Sequence, residues 1–122
     1  MRYARLRLTQ TTPAFLRRLA EGADEDPAVA ALRQAWRYGM EVTIDIERVD
    51  FPRLPLRELA GLPLLFRAGD GLPVYVLARR VAGYADIVPL SPGHLLLART
   101  VLLTALARDE AAKRGLQLYR QD

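Results

Sequence analysis

The 122-residue chain is long enough for one domain, expected over residues 1–122, which would bury about two-thirds of its unfolded surface. It has no cysteine, so disulfides, thiolate metal sites and thiol redox chemistry are excluded by inventory. The net charge of +4 invites a nucleic-acid reading, but its distribution argues otherwise: residues 1–20 hold five arginines and no acid, whereas "EGADED" supplies four carboxylates.

In chain order, "RYARLRLT" alternates, with Ala4, Leu6 and Leu8 on one side and Tyr3, Arg5, Arg7 and Thr9 on the other, and reads as a half-buried strand. The start lacks the apolar run of a secretory signal, so a cytoplasmic location is expected. "EVTIDIE" alternates in the same way, with Val42, Ile44 and Ile46 inward and Glu41, Thr43, Asp45 and Glu47 outward. One outer face is basic and the other acidic, which predicts that the two strands are neighbours.

Two helices are punctuated between them. Thr12 caps and Pro13 opens the first, which closes at Gly22; Asp26 and Pro27 repeat the device, and Gly39 ends the second. Val29, Leu32 and Trp36 recur at helical spacing as its core face. The proline-rich "DFPRLPLRELAGLP" leaves room for a short helix near Leu56 to Ala60. A strand, the turn "AGDG" and a second strand follow, the second apolar on both faces from Val74 to Ala78 and therefore expected inside the sheet. "VAGYADIV" reads as a further strand or as a continuation past a bulge at Gly83.

Ser91 and Pro92 look like the cap and first residue of a long apolar helix ending at Gly115, with "LQLY" as a short last strand. One sheet face cannot cover all of such a helix's leucines. Leu96, Leu97, Val101 and Leu103 are accordingly expected at the interface of a homodimer.

The residues that carry chemistry are few. Ser91, His94 and Asp86 lie within nine positions, but a serine that caps a helix spends its oxygen on backbone N–H groups and is badly placed as a nucleophile. A milder expectation is an anion site at that helix start, using Ser91, Gly93 and His94. Arg79, Arg80 and Tyr84 form a second candidate, with guanidinium forks for phosphate and a ring for stacking. Glu41, Asp45 and Glu47 are better explained by facing arginines than by a metal. No catalytic residue, metal or cofactor is expected.

The segment "PLSPGHLLL" resembles a short stretch of the histidine-triad nucleotide hydrolases in which similar residues precede a strand; their downstream alternating histidines are absent, so neither fold nor activity is carried over. The order of elements is similar to the thioredoxin or glutaredoxin plan, with Pro73 or Pro63 before a strand. The active-site cysteines of that family are replaced by "TQTTPAF", which implies a redox-dead module. A ferredoxin-like plan fits equally. The fold class is therefore α+β, with helices packed on a mixed or antiparallel sheet and one long C-terminal helix. The expected function is a non-catalytic cytoplasmic protein that self-associates and binds a protein partner or small anion. An arginine-based nucleic-acid binder is the alternative, and no membrane association is expected.

Overall fold

The computed structural model describes residues 5–121. The two alternating stretches form β1 (Arg5–Leu8) and β2 (Glu41–Ile46), and they are neighbours as their charges predict, paired in parallel with Arg5 opposite Glu41. Arg7 grips Asp45 with two of its nitrogens, at 2.8 and 3.1 Å. Tyr3 and Ala4, which the alternation assigns to the first strand, lie outside the described residues.

Both helices between these strands start and stop where the sequence punctuates them. In α1 (Pro13–Glu21) the Thr12 hydroxyl accepts the Phe15 amide, and Gly22 takes the left-handed conformation, φ 72°, that ends the helix. In α2 (Pro27–Arg37) the Asp26 carboxylate accepts the Ala28 amide. Leu16, Leu19, Val29 and Leu32 are buried, and Trp36 packs against the core while partly open to solvent. A 3₁₀ turn (Arg48–Arg53) and α3 (Leu56–Ala60) then lead to β3 (Leu64–Ala68), and a tight turn leads to β4 (Pro73–Leu77).

The six-stranded sheet has the order β1-β2-β3-β4-β6-β8, where β6 is Gly93–Leu97 and β8 is Leu116–Arg120. All neighbours are parallel except β3 and β4. A second sheet pairs β5 (Val81–Ala82) with β7 (Leu102–Leu103), and α4 (Tyr84–Ile87) and α5 (Ala105–Lys113) complete the chain. This is an α+β chain with a mixed sheet and helices packed on it, the class read from the sequence. As expected, β4 is an interior strand, "LQLY" is a strand, and α3 spans Leu56–Ala60.

The long C-terminal helix is corrected. Its apolar half is β6 and β7, and only Ala105–Lys113 is helical, capped by Thr104, whose hydroxyl accepts the Ala107 amide. The physical reason lies in the two faces of the sheet. Across β2 the even-numbered residues are buried beneath α2, while Glu41, Thr43 and Asp45 on the other face are open or half-open. Around β6 both faces are covered: Phe51 of the 3₁₀ turn stands against His94, and Leu95, Leu96 and Leu97 are all buried, while α5 lies against the neighbouring β8. Every residue of β6 is buried. A strand without a wet face has no reason to alternate, so in composition it looks like a buried helix. Among the described residues, no helix is long and apolar enough to cross a membrane.

Candidate functional site

Ser91 caps nothing. It lies exposed in the loop before β6, where its backbone N–H donates to the Tyr75 hydroxyl at 3.0 Å. Gly93 and His94 sit in the ladder between β4 and β8, so the helix start that was to gather an anion around Ser91, Gly93 and His94 is absent. Gly93 instead serves packing: a Cβ there would run into the carbonyl oxygen of Pro73 on the neighbouring strand. Asp86 is also elsewhere, held by Arg79 at 2.6 Å and the Gly83 amide at 2.9 Å. Ser91, His94 and Asp86 do not form a triad.

His94 has a different set of neighbours, none of them signalled by sequence spacing. Its Nε2 lies 2.7 Å from Oδ2 of Asp70 in the β3–β4 turn. Its ring stands edge-on to Phe51 at 5.8 Å and tilted against Tyr119 at 5.7 Å. Phe51 and Tyr119 are themselves edge-to-face at 5.2 Å. Arg48 donates to the Tyr119 hydroxyl at 2.9 Å, and that hydroxyl donates to Gln117 Oε1 at 2.7 Å.

The Asp70 carboxyl is held below the usual carboxylate range, first by the Leu72 amide, then by the His94 hydrogen bond, with Arg48 adding attraction. Asp70 is therefore an acceptor only, and Nε2 carries the proton between them. The other ring nitrogen, Nδ1, is buried and has no hydrogen-bond partner among the described residues. General-base catalysis needs a nucleophile against that second nitrogen. Among the described residues it faces none; the Asp70 bond and the two ring contacts pin together the turn, β6, β8 and the 3₁₀ turn.

Arg79, Arg80 and Tyr84 separate into different roles. Arg79 braces Asp86, whose carboxyl is pushed down first by the Gly83 amide and then by Arg79. Tyr84 opens α4 and is exposed. Arg80 has no acidic partner among the described residues and lines an open cleft of about 480 Å³ with Arg57, Ala78 and Thr100. Arg57 donates to the Thr100 hydroxyl at 2.5 Å. Arg57 also borders two adjoining hollows, one carrying Arg79 and Asp86, the other Glu58, Arg99 and Gln121. Because β4 and β6 are parallel neighbours, the segments after their carboxyl ends emerge side by side and bring 78–80 against 98–100. Arg57, Arg99 and Thr100 were missed because only this pairing unites them.

The leucine-rich residues assigned to an interface are core. Leu96, Leu97, Val101 and Leu103 are 1, 2, 2 and 6% exposed within the single chain. The surplus of leucines came from assuming a helix, and the two-sided sheet absorbs it. Next to the arginine cleft, Val81 and Leu102 are left open, at 49 and 65%. The carboxylates of β2 are taken up by β1, through Arg7–Asp45 and, at 3.8 Å, Arg5–Glu41. Among the described residues, no three His, Asp or Glu side chains are grouped to hold a metal.

A family model described as "Putative propanediol utilisation" matches residues 1–117. The chain belongs to that family. Among its curated relatives is the bacterial microcompartment assembly protein PduM of Salmonella typhimurium, 33% identical over 120 residues that cover 98% of this chain and 74% of the relative. The protein of the same name from Citrobacter freundii matches with the same identity and coverage. No solved structure matches. In this member of the propanediol-utilisation-like family, the arginine cleft is open to solvent and the histidine pin is internal.

Proposed function

We propose that the chain is a non-catalytic assembly protein of a bacterial microcompartment, working in the cytoplasm through contacts with other protein components of that compartment. The observation that carries this reading is the match, over almost the whole chain, to relatives named for microcompartment assembly. The chemistry of the site agrees with it. The single histidine is locked between Asp70 and two aromatic rings, the single serine lies in a separate loop, and arginines with no acidic partner among the described residues line open clefts suited to contact. The homodimer expected from the leucines loses its footing now that they are core, so the partners are taken to be other chains.

Deletion of the gene in a microcompartment-forming host, with complementation by the wild-type chain, tests this reading. The expected result is misshapen or missing compartments by electron microscopy, restored by the complementing copy, with the chain co-purifying with the compartments. Normal compartments in the deletion strain would overturn it.

A further inference from the structure

We propose that the surface formed by Arg57, Arg80, Arg99 and Thr100, together with the exposed Val81 and Leu102, binds a segment of a partner protein that carries both carboxylates and apolar side chains. The proposal rests on the reading of the chain as one that works through protein partners, and it names the partner's chemistry.

Charge supplies the first argument. Arg7, Arg18, Arg79 and Arg114 are neutralised at 2.6 to 2.8 Å by Asp45, Asp26, Asp86 and Glu110, while others, among them Arg17, Arg37, Arg67 and Arg108, have no ion pair among the described residues; what sets the present group apart is that its members gather around one residue, Thr100. Arg57, Arg80 and Arg99 have no such partner among the described residues, and all three are exposed. Thr100 occupies one nitrogen of Arg57 and so fixes the direction of the fork while leaving most of its donors free.

Rigidity supplies the second. The loop that carries Arg99 and Thr100 is tied down twice. Arg120 donates to the Val101 carbonyl at 2.5 Å, and the Leu102 amide donates to the Arg80 carbonyl at 2.9 Å. A backbone that is already ordered beneath the arginines loses little freedom on binding, which favours contact.

Apolar exposure selects among anions. Val81 and Leu102 are opposite each other in the β5–β7 ladder and both face out, whereas their neighbours Ala82 and Leu103 are buried. A free phosphate would satisfy the arginines and leave this pair wet. A nucleic-acid backbone gains nothing from it. A peptide segment with both acidic and apolar side chains fills both requirements.

The test places p-benzoylphenylalanine at Leu102 in the full chain, irradiates cells assembling the compartment, and sequences the captured peptide by mass spectrometry. The expected product is another protein joined through a segment bearing carboxylates beside apolar residues. The double variant Arg57→Glu/Arg80→Glu is expected to lower its yield about tenfold, and Arg57→Lys/Arg80→Lys to retain most of it. Circular dichroism of both variants should match the parent, because the replaced side chains are exposed.

No captured peptide, a segment without carboxylates, a yield unmoved by Arg57→Glu/Arg80→Glu, captured nucleic acid, or a peptide from a second copy of this chain would each overturn the proposal. An acidic partner that is foreign to the compartment supports the surface and defeats the assembly reading. A compartment component captured through a non-acidic segment does the reverse.

Discussion

Strands β2 and β6 lie in one sheet and are buried by opposite rules. In β2 every second residue faces α2 and the residues between face solvent and β1's arginines, so "EVTIDI" announces its structure. In β6, "GHLLL" is covered on both sides and announces nothing. The difference teaches that alternation reports a water boundary rather than a strand. Where the sheet has no such boundary, strand and buried helix have the same composition.

The sharpest way to break this comparison is to shave neighbouring residues. Leu95→Ala and Leu96→Ala point to opposite faces, yet each is expected to cost about 2–5 kcal/mol of stability in denaturant unfolding. In β2, Ile44→Ala should cost a similar amount while its neighbour Asp45→Ala costs about 1 kcal/mol or less. If Leu95 and Leu96 differ as Ile44 and Asp45 do, β6 has a wet face and the two-sided account fails.

Gly93→Ala follows in size. The new methyl must displace the Pro73 carbonyl or separate β4 from β6, at an expected cost of about 1–3 kcal/mol. Thermal unfolding checks it, and a melting temperature equal to the parent's would show that the two backbones are not closely packed.

Acid titration sharpens the contrast between a pin within the covered half and a cap on the open one. The carboxyls of Asp70 and Asp26 are both lowered in the folded chain, Asp70 first by the Leu72 amide and Asp26 first by Arg18. A lowered folded value means that the stabilisation is complete above the unfolded carboxylate value, near about 4, and is lost as pH falls through the lower folded values. The melting temperature should therefore stay level from neutral pH to about 5 and fall below about 4. Asp70→Asn and Asp26→Asn should each flatten part of that fall. A fall that begins above pH 6 in the parent would point to other groups.

The smallest expected effect is that of Arg7→Ala. Its partner Asp45 is well placed, but Arg7 is mostly exposed, so the loss in thermal unfolding should be small and should shrink further in high salt.

What could be read in advance follows the same line. Thr12, Asp26, Gly22 and Gly115 declared their turns and caps because the requirement is local, a side-chain acceptor or a left-handed backbone. The pairing of β1 with β2 was legible from opposite charges on two alternating stretches. "PLSPGHLLL" also held a usable clue, since the resembling stretch in the nucleotide hydrolases runs into a strand, but proline after serine made a helix start look equally good. The arginine cleft and the histidine pin were invisible for another reason. Arg57 meets Thr100, and Asp70 meets His94, only after the order of strands is settled, and one-dimensional spacing carries no trace of that order.

The turn between β3 and β4 has a consequence for how the chain reaches this state. It joins the sole antiparallel neighbours of the large sheet across a few residues, whereas each parallel pairing must wait for an intervening crossover to be laid down. Short loops close at the smallest entropic cost, so the hairpin is the natural nucleus.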